Sequence, residues 1–316
     1  MNSNVMIVTG ANSSYFYFAQ GLIRSIRDKR EGKDIAICFL DLDCRDDELA
    51  WLAVFGVSVK KPGWDFDFPG CDDMPNYFKA MTVRPNLPDH FPEYDVVIWM
   101  DADTWIQDWS ALELYVEGVE RKGFAITPEV HASYAGCLTH SNQLRHFIYD
   151  KYEQAFGREV AEQFQNCAVL NTGVCGMHRE SELRKAWIEN LARGLTRTRH
   201  FMVDLLSMNL AFYQNFDCFF PAHVELLPPV CNWMCHQSSP IFDEETGLFL
   251  SPTLPNEVVG ILHRTTDVLK RRSEIEISTR AGGTVTSTIE YANGSYSDHK
   301  PTIESWQEDS GWATDK

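Results

Sequence analysis

Residues 95–105 read DVVIWMDADTW, an apolar run that ends on an acidic triplet. Six residues from Asp95 to Met100 with no polar alternation are the pattern of a strand buried on both faces, as in a parallel sheet. Asp101-Ala102-Asp103 follows at the carboxyl end of that strand. Open α/β sheets bind ligands at that edge. Carboxylates are hard oxygen ligands suited to Mg2+ or Mn2+, and two of them placed two residues apart around a turn can reach one ion. Such an ion can bridge and neutralise two phosphates. The competing reading is a solvated acidic turn, because two aspartates at this spacing are common.

Outward from this strand, the chain alternates between strand and helix. Val5–Thr9 is a short apolar run that stops at Gly10, and Tyr15 to Arg27 carries apolar residues on one helical face. Asp34–Asp41 and Val57–Lys60 read as strands on either side of a helix over Asp46–Phe55. Tyr77 to Val83 reads as a short helix ended by Pro85. Phe124–Thr127 and the segment NTGVCGM after Leu170 read as strands, and Leu112–Arg121, His140–Phe156, Glu180–Leu195 and Asp204–Tyr213 as helices. This alternation predicts an α/β fold with a mostly parallel sheet flanked by crossover helices. Val258–Leu262 is a further short strand. Glu274–Ser278 and Thr284–Tyr291 alternate around Ala281-Gly282-Gly283, which predicts a hairpin, and the chain beyond Gly294 reads as a polar tail.

Composition narrows the partners. The 316 residues carry 28 basic and 45 acidic side chains, a formal charge of −17. Such a surface repels polyphosphate, which argues against nucleic acid and anionic membranes as partners. No stretch approaches the ~20 apolar residues that span a bilayer, and Met1 to Asn4 is polar. Nine scattered cysteines with no framework spacing predict reduced thiols. A soluble, cytoplasmic protein is the expectation. Cys231, Cys235 and His236 lie close together but lack a second pair at zinc-site spacing, so a packed loop is preferred there.

Four segments in order resemble the GT-A glycosyltransferases, specifically family 8 and its bacterial relatives. IVTGANSSYFYFAQGLIRSI is similar to the family's first strand, nucleotide-binding turn and first helix. RPNLPDHFPEYDVVIWMDADTWIQD is similar to the segment around its DxD, with Arg84 in the place of its nucleotide-sugar arginine. VLNTGVCGM resembles its Asn-Ser-Gly strand, with Thr172 for serine. LLPPVCNW and ILHRTT resemble its closing part, where a histidine completes the metal site. The resemblance implies a GT-A catalytic domain over residues 1–266 and leaves 267–316 as a C-terminal β-rich extension.

What the resemblance implies about the site can be given residue by residue. Asp101, Asp103 and His263 would be the metal ligands, with Mn2+ suited to a neutral imidazole and Mg2+ the alternative. The donor would be a nucleotide sugar, UDP-linked, held by Gly10, Asn12, Tyr15, Arg84, Ala102, Thr172, Gly173 and Lys270 together with the metal group. Asn171 and Asp204 would act at the transferred sugar. The chain departs from the family in three places. Leu205 and Leu206 stand where the family has polar residues, Lys270 falls one position late, with Arg264 as its alternate, and the opening turn has no acidic residue. For Asp204 the competing reading is an N-cap of the helix that follows.

The implied reaction is sugar transfer, with retention, to a hydroxyl of a glycan, lipid-linked or small-molecule acceptor. Tyr134 and Trp233 are candidate sugar platforms, with core packing the preferred fate of Trp233. The C-terminal hairpin is a candidate for covering the sheet, pairing subunits of a homo-oligomer or holding the acceptor. Two other readings compete. One is a nucleotide-sugar-binding protein with a degenerate transferase fold, favoured by Leu205 and Leu206. The other is a sugar nucleotidyltransferase, disfavoured because VTGANSSYF lacks arginine and lysine.

Overall fold

Alternate residues of each central strand go to opposite faces, and both faces are apolar. The computed structural model describes residues 4–138, 142–265 and 274–291. Strands β1 (Val5–Ala11), β2 (Ala36–Asp41), β3 (Ser58–Lys60) and β4 (Val96–Met100) lie in one sheet. Val5, Ile7, Val96, Ile98 and Met100 pack on one side with Leu22, Ile23 and Ile26 of helix Phe16–Arg27 and with Leu112, Tyr115 and Val119 of helix Ser110–Lys122. Met6, Val8, Val97 and Trp99 pack on the other with Leu183, Trp187 and Leu191 of helix Glu182–Leu195. Each large side chain so buried contributes about 1.5–3 kcal/mol. That two-sided burial is why these runs lack polar alternation.

Strand β5 (Thr104–Ile106) leaves this sheet immediately after the DAD turn, while β6 (Phe124–Pro128), β7 (Leu170–Met177) and β8 (Glu225–Leu226) extend it. The order is β3-β2-β1-β4-β7-β6-β8. β1 runs parallel to β2 and β4, β2 to β3, and β6 to β8. β7 is antiparallel to both neighbours, which the strand–helix alternation did not predict. The connection from β6 includes helices Ala135–Leu138, Asn142–Phe156 and Arg158–Phe164 and returns the chain to the edge it left. The amino end of β7 therefore lies beside the carboxyl end of β4, and the Asp101 N–H donates to the Gly173 carbonyl at 2.7 Å.

A second, smaller layer closes this edge. It contains β9 (Trp233–Met234), β10 (Ile241–Asp243), β11 (Leu248–Leu250) and β12 (Ile261–His263), with β12 antiparallel to β5 and parallel to β9. The expected C-terminal hairpin is present as β13 (Ile275–Ser278) and β14 (Thr284–Ser287). Ile277 and Ile289 of this extension pack with Trp105, Trp233 and Leu262, and the Trp105 indole N–H donates to the Ile289 carbonyl. The α/β class with a small C-terminal β extension is thus what the structure shows.

Helix Tyr77–Val83 has the expected bounds and ends before Pro85; a 3-10 turn, Arg84–Asn86, then leads into Leu87–His90, with Pro85 in a first-turn position where its missing N–H costs nothing. Tyr134 and Trp233 are fully buried, with ring centroids 5.0 Å apart, and offer no sugar platform. Lys270 and the polar tail lie outside the described residues. Among the described residues no helix is long and apolar enough to cross a membrane.

Candidate metal and diphosphate site

Asp101 and Asp103 sit in the turn between β4 and β5, and His263 ends β12, which pairs with β5. Asp101, Asp103 and His263 each offer one ligand atom, and these atoms all lie within 4.8 Å of one another. The His263 Nε2 lies 3.4 Å from Asp103 Oδ1 and 3.7 Å from Asp101 Oδ2. The strand that crosses behind them is β7, and its Gly173 is required by space. A Cβ at Gly173 would stand 2.3 Å from His263 Cε1 and 2.7 Å from Asp101 Oδ2.

Asp101 divides its two oxygens between structure and site. Oδ1 accepts from Arg84 Nη2 at 2.6 Å and from the Trp99 indole N–H at 2.7 Å, which leaves Oδ2 facing His263. Arg84, 8% exposed, also donates to Asp204 at 2.6 Å and Thr172 at 3.2 Å, and stacks over the Trp99 ring. Burial pulls the Arg84 guanidinium down, but Asp101 and Asp204 outweigh it and hold the group above its ordinary range. Asp204 is 1% exposed. Burial pushes its carboxyl up to about 6, against the pull of Arg84 and helped by the charge of Asp101. Asp101 and Asp204 thus share one guanidinium, and Asp103 stands beside Asp101 and His263. Two like charges within 4.8 Å of each other repel by roughly 3 kcal/mol or more at an effective dielectric of about 20. A divalent cation among these hard oxygens and one imidazole nitrogen would remove that repulsion, so the donor set fits Mn2+ or Mg2+.

The remaining sequence-predicted residues fall into two groups. Asn171 and Thr172 join the site, the latter through Arg84 and, at 3.4 Å, Asp204. Asn171 is tied within the protein: its Oδ1 accepts from the Gly173 N–H at 2.8 Å and from Asn232 at 3.2 Å, and its Nδ2 donates to Glu129 at 2.8 Å. Ala102 is buried inside the turn. Gly10, Asn12 and Tyr15 stand at the end of β1 on the same sheet edge, with local tasks of their own. A Cβ at Gly10 would meet Leu40 at 2.8 Å, and Asn12 Oδ1 accepts from Ser14 and from the Tyr15 N–H.

The N-cap reading of Asp204 fails. Helix Val203–Gln214 begins one residue earlier, without a side-chain cap, and Asp204 turns to Arg84 instead. Leu206 is buried with Ile148, Tyr152 and Leu210, so no polar group replaces the family's there. Asn209 pins the same helix to β7 by accepting from the Leu170 N–H and donating to its carbonyl. At Cys231 and Cys235 burial pushes both thiols up to about 12, the opposite of what zinc ligation needs. All nine cysteines are unpaired.

Three residues of the site have no role assigned from sequence. Trp99 supplies an indole donor from within a strand read as purely apolar. Glu129 follows β6 at the same carboxyl edge as the DAD turn, a positional signal that was available. Asn232 Oδ1 stands 3.0 Å from His263 Nδ1, a contact that exists only once β9 and β12 pair.

No protein-family model matches this sequence, and no curated protein does. Among solved structures, the chain is similar to the bifunctional glycosyltransferase WbbM in its apo form, at 18% identity and a TM-score of 0.49 over 73% of this chain and 40% of that one. It is similar to the galactosyltransferase LgtC in complex with donor and acceptor sugar analogues, at 14% and 0.49 over 84% and 89%. It is similar to mouse xyloside xylosyltransferase 1 in its apo form, at 14% and 0.47 over 84% and 98%. The chain spans less than half the length of WbbM. At these identities and scores the likeness assigns no residue a role, and the site's chemistry has to come from its own atoms.

Proposed function

We propose that the protein is a GT-A glycosyltransferase of the family 8 type, which uses Mn2+ to move a sugar from a UDP-sugar to a hydroxyl acceptor with retention. The observation that carries this is the convergence of Asp101, Asp103 and His263 within 4.8 Å, at the sheet edge where α/β folds bind nucleotides. Asp101 and Asp103 through one oxygen each, and His263 through Nε2, would hold the ion. When bound, it supplies Lewis-acid neutralisation of the departing diphosphate. Arg84 and Trp99 fix the other oxygen of Asp101, so the ligand set is oriented before the donor arrives.

The protein's own residues define the rest of the step. Asp204 is held by Arg84 inside the protein, and Leu205 and Leu206 offer no nucleophile. A front-face transfer fits that environment: the anomeric C–O bond breaks with its electron pair going to the diphosphate. The acceptor oxygen then bonds from the same face and its proton passes to the leaving phosphate. Asn12 and Tyr15 are assigned to the uridine, and Thr172, Gly173 and Lys270 to the diphosphate-sugar portion. The nine unpaired thiols suit a cytoplasmic enzyme.

Calorimetric titration with UDP, with and without Mn2+, tests the reading. UDP binding that requires Mn2+ is the expected result, followed by sugar release from at least one of UDP-glucose, UDP-galactose or UDP-N-acetylglucosamine. Binding that ignores the metal would sink it. Metal-dependent binding with no turnover would favour the second reading, a nucleotide-sugar-binding protein, for which apolar Leu205 and Leu206 are the supporting observation.

A further inference from the structure

His263 faces the two aspartates through Nε2, so it can serve as a ligand only as the tautomer whose proton is on Nδ1. None of the ligands chooses that tautomer, because carboxylates would accept a proton from Nε2 equally well. The choice is made at the far end of a run of hydrogen-bonded side chains, of which Asn232 and Asn171 are buried and Glu129 half-buried.

The run has two ends of fixed polarity. The Gly173 backbone N–H can only donate, and it meets Asn171 Oδ1 at 2.8 Å. The Glu129 carboxylate accepts, and it meets Asn171 Nδ2 at 2.8 Å. Together they force the Asn171 carboxamide into one orientation. Its oxygen then demands a donor from Asn232, which supplies Nδ2 at 3.2 Å. Asn232 must therefore turn its own oxygen to His263, where Oδ1 and Nδ1 are 3.0 Å apart. Nδ1 carries the proton, and the Nε2 lone pair is left facing Asp103 and Asp101. Asn232 is 1% exposed, and it sits between the turn Pro229–Cys231 and β9, whose Met234 is in register with His263.

We propose that Asn232 is the positioning residue that sets the tautomer and the aim of His263, a role that rests on the metal reading above. It stands outside the ligand group and meets it through His263 Nδ1. Outer partners of ligand histidines typically govern 10–100-fold in metal affinity.

The test uses the full-length chain and Mn2+ alone, followed by electron paramagnetic resonance of the free ion. A parallel 15N measurement of the imidazoles in metal-free protein uses His263→Gln to assign the signal. Asn232→Leu, similar in size, is expected to weaken Mn2+ 10–100-fold and to shift His263 towards the Nε2–H tautomer. Asn232→Asp, which still accepts from Nδ1, is expected to keep the Nδ1–H tautomer, a rescue that a merely structural role does not predict. Glu129→Gln is expected to change Mn2+ affinity by less than about threefold, because the Gly173 N–H still holds Asn171. Unchanged affinity and tautomer in Asn232→Leu would overturn the proposal. A wild-type chain that ignores Mn2+ while Asn232→Leu still shifts the tautomer would overturn the metal reading and leave the lock standing.

Discussion

Arg84 joins the two halves of the site's charge. It lies between Asp101 on the ligand side and Asp204 in the protein interior, at 2.6 Å from each. Removing one partner of a buried pair leaves an uncompensated charge, which typically costs 3–5 kcal/mol. Arg84→Met is therefore expected to lower the unfolding free energy by about that amount in urea denaturation, and Asp204→Asn to cost less, because Arg84 keeps Asp101. Equal losses would show that the pair does not behave as a buried one. Asp103 stands at the opposite pole. Its carboxylate is part of an acidic group that the fold holds together against its own repulsion. Asp103→Ala is expected to abolish Mn2+ binding and donor turnover while the thermal midpoint stays unchanged or rises. A variant that fails to fold would mark the carboxylate as structural.

Among the elements, β7 shows how much of the site was legible and where legibility stopped. The DAD turn could be read because all its information is local: an apolar strand, two aspartates and an edge. Gly173 could be read only as a place of close approach, and what approaches became clear when β7 proved antiparallel to β4. That reversal depends on the long connection from β6, which no local pattern encodes. The same limit hid the partners of Asn171, whose amide oxygen accepts from Gly173 and Asn232. It explains Asp204 too, read as a possible cap because the sequence does not show Arg84 across the fold. Gly173→Ala tests the strand's role directly. The added methyl would meet His263 Cε1 at 2.3 Å and Asp101 Oδ2 at 2.7 Å, with the strand's ladder to β4 and β6 left in place. Mn2+ affinity is expected to fall at least tenfold with far-ultraviolet circular dichroism unchanged; wild-type affinity would mean that the two ligands can retreat without cost.

At the scale of the whole molecule, the C-terminal extension and the helical layer each bind the sheet edge from outside it. The extension does so through Glu290, which accepts from Arg264 and Tyr17, and through Tyr291, which donates to Asp28. Arg264 in turn donates its backbone N–H to the Asp103 carbonyl, so residues 274–291 brace the turn that carries the ligands. On the other flank, His200 joins helix Asn142–Phe156 to the start of helix Val203–Gln214. Its ring lies 6.1 Å from Phe147, and its Nδ1 accepts the Met202 N–H at 3.2 Å. Burial, with Lys151 adding to it, holds this imidazole down at about 4. An unfolded histidine titrates near 6.5. Between those values the unfolded chain binds a proton that the folded chain refuses, so unfolding is favoured as the pH falls. The contribution of His200 is complete above pH 6.5 and is lost progressively towards pH 4. Protonation would also end the acceptor role of Nδ1 beside the positive end of a helix. Urea midpoints measured from pH 7 to pH 4.5 are expected to fall less steeply in His200→Gln than in the wild type. The same slope in both would mean that the proton enters the folded protein freely and that the contact with Met202 does not restrain it.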